Sequence, residues 1–169
     1  MSQPPHIIVA IGRHSTMKLP NQSYGGNGKI HYNIQDSDVG YYNKFIEKYP
    51  PINDDQNIDI YGFLPGGSQF INDTCLQKVT NFFQYHSEIN ILTFDLIYKN
   101  NLFKQVAYIQ PNDPKNNAPF FVRSSLIDQI KFVDDKQVFR NVINTLRDKG
   151  YIIFHLAEPL ISISQEVSE

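Results

Sequence analysis

The sequence predicts an α/β fold: a mixed, mostly parallel sheet with helices on both faces, built as a single domain over residues 1–169. Three observations lead there. Short β-branched apolar runs alternate with stretches whose apolar residues recur every three or four positions, as strands and crossover helices do. A length of 169 residues suits one domain. A domain of this size buries roughly 70% of its unfolded surface, enough for a sizeable core. Hydrophobic residues at 41% and aromatics at 13% exclude a disordered chain.

The elements follow in order. Ile7, Ile8, Val9, Ala10 and Ile11 form a continuous apolar run ending at Gly12, the pattern of a strand buried on both faces. Residues 13–29 hold Pro20, Gly25, Gly26 and Gly28 without a sustained period and read as a long loop. Residues 29–34 suit a second strand. Asp36, Ser37 and Asp38 then offer a helix cap, and Val39, Tyr42, Phe45, Ile46 and Tyr49 make one apolar stripe before Pro50 and Pro51 stop it. After a polar turn at 53–57, residues 58–64 read as a buried strand ended by Pro65, Gly66, Gly67 and Ser68. Asn72 or Asp73 can cap a helix to Tyr85, with Leu76, Val79, Phe82 and Phe83 on its inner face.

Residues 90–98 read as a strand that turns at Asn100 and Asn101 and pairs back through 102–109 as a hairpin. A polar loop at 110–119 leads to a short apolar piece at 119–123 and a helical turn from Ser124 or Ser125 to Gln129. Asp134 or Asp135 caps a helix to Asp148 carrying Val138, Val142, Ile143 and Leu146, and Gly150 stops it. Residues 151–156 form the closing strand, bounded by Pro159.

Charge and composition remove several function classes. Fifteen Lys and Arg stand against 17 Asp and Glu, a net charge of −2, so no basic field exists to grip nucleic acid. One cysteine, Cys75, excludes an internal disulfide framework and a multi-cysteine zinc site. No run approaches the roughly 18 apolar residues of a membrane span, and residues 1–6 lack the basic and apolar regions of a signal peptide. The expectation is a cytoplasmic protein.

The candidate chemistry is sparse. Gly25, Gly26, Asn27, Gly28 and Lys29 lack the phosphate-loop spacing, have Ile30 where Ser or Thr is needed, and precede a strand rather than a helix. Ser68 lacks the nucleophile-elbow frame. His6, His14, His31, His86 and His155 include no pair four residues apart; His155 stands out by closing a buried strand, although packing also explains it. Asp134 and Asp135 at a helix start are explained by capping, yet a carboxylate at the mouth of an α/β sheet is also where a general base sits.

Taken in order, these segments resemble GT-A fold glycosyltransferases of the family-2 kind. The match runs over most of residues 36–163. Ile58 to Leu64 resembles the strand that ends at that family's acidic metal motif. The run from Asp38 through Asn43 to Phe45 is similar to the preceding helix. Phe120 to Ile127, containing Arg123, looks like the acceptor-side segment. Phe132 to Phe139 resembles the base motif, and Gly150 to Ile161 the closing segment with its histidine.

The resemblance implies a reduced nucleotide-diphospho-sugar transferase fold. It implies nucleotide binding at Ala10, Gly12 and Arg13, further substrate contacts from Asp38, Asn43 and Arg123, and His155 near the diphosphate. Asp134 or Asp135 would serve as general base towards a glycan or other hydroxyl acceptor. Where the family carries metal-binding acids, this chain has Leu64, Pro65, Gly66, Gly67 and Ser68, so the expectation is sugar transfer without a metal or other cofactor. The alternative is a non-catalytic module that binds a sugar or a protein. A third expectation, from a shortened sheet, is a homodimer formed through an exposed edge strand.

Overall fold

The computed structural model describes residues 5–13, 28–33, 38–52, 57–99, 104–107, 117–134 and 136–164. The expected glycine-rich loop, the caps at Asp36 and Ser37, the turns at 53–56 and 100–101, and most of the 110–119 loop lie outside these residues.

Among the described residues eight strands form one sheet: β1 (Ile7–Arg13), β2 (Gly28–Asn33), β3 (Ile60–Leu64), β4 (Ser68–Phe70), β5 (Ile91–Lys99), β6 (Lys104–Ala107), β7 (Phe120–Arg123) and β8 (Ile153–Ser164). Their order is β2-β1-β3-β7-β5-β8-β4, with β6 on β5 beside β7. The pairs β1–β2, β1–β3 and β5–β8 are parallel. The pairs β3–β7, β5–β7, β5–β6 and β4–β8 are antiparallel. The sheet is therefore mixed and not mostly parallel, which corrects the sequence expectation. The reason is β7: a strand read only as a short apolar piece wedges between β3 and β5 and runs against both.

Helices α1 (Asp38–Lys48), α2 (Cys75–Tyr85) and α3 (Arg140–Asp148) cover the sheet on both sides. On one face, Tyr42 and Phe45 of α1 and Val142, Ile143 and Leu146 of α3 pack with Ile8, Ala10, Tyr61, Phe63, Phe120 and Val122. A 3-10 turn (Ser124–Gln129) adds Leu126 and Ile127 to that face. On the other face, Cys75, Leu76, Val79 and Phe83 of α2 pack with Ile7, Val9, Ile11, Leu92, Phe94 and Phe121. The period of two in each strand divides the two sets, and both faces need covering because β1 from Ile7 to Ile11 and all of β3 are buried at every position. Each buried Phe here contributes about 2–3 kcal/mol.

Two positions require glycine, Gly62 by packing and Gly150 by its backbone angle. Gly62 pairs with Phe121, and a Cβ at Gly62 would stand 2.5 Å from that ring. Gly150, at φ 91°, ends α3 as expected: its N–H donates to Arg147 O at 2.9 Å and Tyr151 N–H to Leu146 O at 3.2 Å, closing the last turn.

Three boundaries differ from expectation. Helix α3 begins at Arg140, not near Asp134, because the acceptor for its first N–H groups is Asn117 Oδ1, 2.8 Å from Phe139 N and 2.9 Å from Arg140 N. Pro159 does not end the last strand. β8 runs through it to Ser164 by bulging: Leu156 pairs with Phe94, Pro159 with Asp95 and Ile161 with Leu96. Ser68–Phe70 is a strand, held by Ile161–Ile163 of β8. Among the described residues no helix is long and apolar enough to cross a membrane.

Candidate functional site

Strand register brings the sequence-singled residues into one frame. Ala10 pairs with Phe63, Phe63 with Phe120, Phe120 with Thr93, and Thr93 with His155. These five residues form a row across the sheet, with Ala10, Phe63 and Phe120 in the core on the α1 and α3 side. Two residues further along β1 lies Gly12, and two further along β5 lies Asp95. Gly12 sits near the carboxyl end of β1; Asp95 is level with it, about 14 Å away at three strand spacings, but lies in mid-strand because β5 runs on to Lys99. In open α/β sheets the carboxyl edge is where ligands bind.

The deepest polar group here is made of three side chains. His155 Nδ1 lies 2.9 Å from Thr93 Oγ1, and Nε2 lies 2.8 Å from Asp95 Oδ1. The side chains of His155 and Asp95 are only 9% and 4% exposed. An ionised Asp95 accepts from Nε2–H, which leaves Nδ1 to accept from the Thr93 hydroxyl in a neutral ring or to donate to it in an imidazolium. Each group thus meets a partner that its burial requires. The β8 bulge at Ala157 to Leu160 occurs alongside Asp95, where the ladder re-aims.

The sequence pointed to His155 but missed Thr93 and Asp95. The signal was present: they are the polar residues at alternate positions of an otherwise apolar strand, Ile91, Leu92, Phe94, Leu96 and Ile97. Alternation puts them on one face, opposite the strand that carries the histidine.

The other candidates are placed as follows. Ala10 and Gly12 are buried in β1, and Arg13 pairs with Asn33 after a register irregularity. Asp38 opens α1. Asn43 uses both ends of its amide on one peptide, donating Nδ2–H to Phe132 O at 2.8 Å and accepting from Phe132 N–H at 3.0 Å. That clamp holds the segment before Asp134 against α1 and seats the Phe132 ring 5.0 Å from both Tyr42 and Phe63. Asp134 is exposed and accepts from Lys136 N–H at 2.8 Å in a local turn. Asp135 lies outside the described residues.

Arg123 points away from this edge. Its Nε–H donates to Ile89 O at 2.6 Å and its Nη2 to Phe83 O at 2.7 Å and His86 O at 2.8 Å. The guanidinium also covers the Phe83 ring at 4.9 Å. Burial pulls its pKa below the usual value.

The tip of β3 is closed by protein donors. The Tyr42 hydroxyl donates to Leu64 O, and Ser68 Oγ–H donates to Pro65 O at 2.6 Å. No three His, Cys, Asp or Glu side chains cluster as a metal would require among the described residues. The described residues at this tip do not fit a divalent ion.

No family model matches this chain, and no curated protein does. Among solved structures, the chain is similar to CMP:2-keto-3-deoxy-manno-octonic acid synthetase complexed with CTP, at a TM-score of 0.42 and 10% identity, over 90% of this chain and 90% of that one. A likeness at that level identifies neither a family nor a ligand for this chain.

Proposed function

We propose that residues 1–169 act as one glycosyltransferase-like domain that binds a nucleotide-sugar along the carboxyl edge of the sheet, from Gly12 and Arg13 towards His155. The observation that carries this reading is the row from Ala10 to His155, which aligns both ends of the expected site on the α1 and α3 face. The Asn43 clamp supports it by holding the segment that leads to Asp134 against α1, on that same face.

Transfer would proceed without a metal. An acceptor hydroxyl attacks the anomeric carbon and forms the new C–O bond. The bond to the diphosphate breaks, and its electron pair leaves with the nucleotide. The hydroxyl proton passes to the carboxylate of Asp134 or Asp135. Arg13 would offset the leaving group's charge.

A second reading, a non-catalytic sugar- or protein-binding module, is favoured by one observation. Arg123 and both nitrogens of His155 are already engaged within the protein.

Thermal unfolding with UDP-, GDP-, CMP- and TDP-sugars, in the presence of a chelator, tests binding. A ligand at a hundredfold its Kd stabilises the fold by about 2.7 kcal/mol. In a chain of this size that raises the melting temperature by about 5–10 °C. No shift with any donor ends the nucleotide-sugar reading. With a binding donor in hand, Asp134→Asn and Asp135→Asn separate the two activities. Loss of turnover with retained binding supports catalysis, and no turnover in the unaltered chain supports the module.

A further inference from the structure

We infer that β8 carries a self-complementary edge through which two copies of this chain pair. The inference starts from main-chain direction. The carbonyl of Ile152 accepts from Asn90 N–H at 3.0 Å and Ile91 N–H at 3.1 Å, and its own N–H donates to Asn90 Oδ1 at 2.9 Å. Ile152 therefore faces β5. Alternation turns the N–H and C=O of Ile153 and His155 to the opposite side. There β4 covers only Ile161–Ile163, so the outer groups of Ile153 and His155 meet no strand among the described residues.

The usual protections of an edge are missing at this stretch. Natural edges carry charges, prolines or bulges that block another strand. Here Tyr151 to Ala157 contains no Asp, Glu, Lys, Arg or Pro, and the bulge begins only after Leu156. The side chains beside the edge are apolar and outward: Ile152 is 48% exposed and Phe154 41%. Phe154 leans on Phe82 of α2 with ring centroids 4.7 Å apart, which extends the apolar surface onto the helix.

An open edge specifies an extended strand as its occupant, and the side chains select a second copy. An antiparallel pair centred on Phe154 bonds Ile153 of each copy to His155 of the other. It sets Phe154 against Phe154 on the two-fold axis and Ile152 against Leu156 on either side, so each apolar side chain on the α2 face meets another. Leu156 already belongs to the core on that face, so the pairing continues an existing apolar surface.

Sedimentation of the full chain over a wide concentration range tests the inference. The expected result is a reversible shift from 19.5 kDa to twice that mass. Phe154→Lys sets two ammonium groups face to face and should leave only monomer. Because Phe154 is partly exposed, circular dichroism of that variant should match the unaltered chain.

Two cysteine variants keep the test valid even if the lysine variant fails to fold. Phe154→Cys puts two thiols across the axis and should cross-link under mild oxidation. Ile152→Cys, although more exposed, faces Leu156 and should not. The native Cys75 is buried and contributes no background. A chain that stays monomeric throughout, a dimer that survives Phe154→Lys, or an Ile152→Cys chain that cross-links as fast as Phe154→Cys would each overturn the inference.

Discussion

Arg123 and the Asp95–His155 pair are both polar positions on strands of the sheet with little exposure, but they are satisfied in different ways. Arg123 spends its guanidinium on three main-chain carbonyls, two at the end of α2 and one in the segment after it, at 2.7, 2.8 and 2.6 Å. Phe83 lies in the last turn of α2 and His86 is its cap, where carbonyls carry the helix's negative end, while Ile89 lies in the segment that follows. Its role is complete within the fold. Asp95, His155 and Thr93 meet one another through side chains from two strands. Buried polar groups that hold main chain explain themselves by stability. A buried group built from side chains of two neighbouring strands, level with the carboxyl end of β1, calls for a functional account.

The largest expected effect tests the first half of that contrast. Arg123→Ala removes three hydrogen bonds to main-chain carbonyls in and after the last turn of α2 and should lower stability by about 3 kcal/mol in urea unfolding. Arg123→Lys should recover less than half of the loss, because an ammonium cannot reproduce the planar fork. Nucleotide-sugar binding, measured well below the melting temperature, should change little in either variant.

A smaller loss sharpens the second half. Asp95→Asn keeps the shape but removes the charge facing His155 Nε2, and should cost about 1–2 kcal/mol. The ring-nitrogen resonances of His155 should move, and donor binding should weaken. If Asp95→Asn were as destabilising as Arg123→Ala while binding stayed intact, the contrast would collapse and both groups would be scaffolding.

The smallest effect concerns two groups outside both sites. Burial, with Asp128 adding to it, pushes the Tyr61 phenol up, and burial pushes the Cys75 thiol up. A folded-state pKa above the unfolded one contributes stability that is complete below the unfolded value and lost as pH climbs through the folded one. The ordinary values are 9.0 for the thiol and 10.0 for the phenol. The melting temperature should therefore hold level up to about pH 9 and fall above it. Tyr61→Phe should flatten part of that fall. An unchanged slope would show that the Tyr61 hydroxyl, which donates to Tyr49 O at 2.6 Å, plays no part in it.

What the sequence disclosed follows from how local each signal was. β1, β3, β5, α1 and α2 announced themselves by runs and stripes within a dozen residues. β7 is four residues long, too short for a period to show, and its place depends on pairing with strands far away in sequence. β4 is shorter still. The start of α3 was misplaced because Asp134 and Asp135 offer a cap locally, whereas the acceptor used is Asn117, 22 residues earlier. Pro159 read as a stop because a regular ladder cannot use it, and a bulge removes that demand. For the candidate site, His155 was legible as a polar residue in an apolar strand, while its two partners became meaningful only once β5 and β8 were known to be neighbours.

The absent side chain at Gly62 has a consequence for how the sheet is assembled. The Phe121 ring fits over β3 only where that strand has a notch, and the neighbouring positions on the same face, Ile60 and Leu64, are filled. Sliding β7 by two residues in either direction would keep every apolar residue facing inward and yet drive the ring into a branched side chain. β7 is thus keyed to a single alignment by one missing carbon, and through it the register between the two halves of the sheet is set.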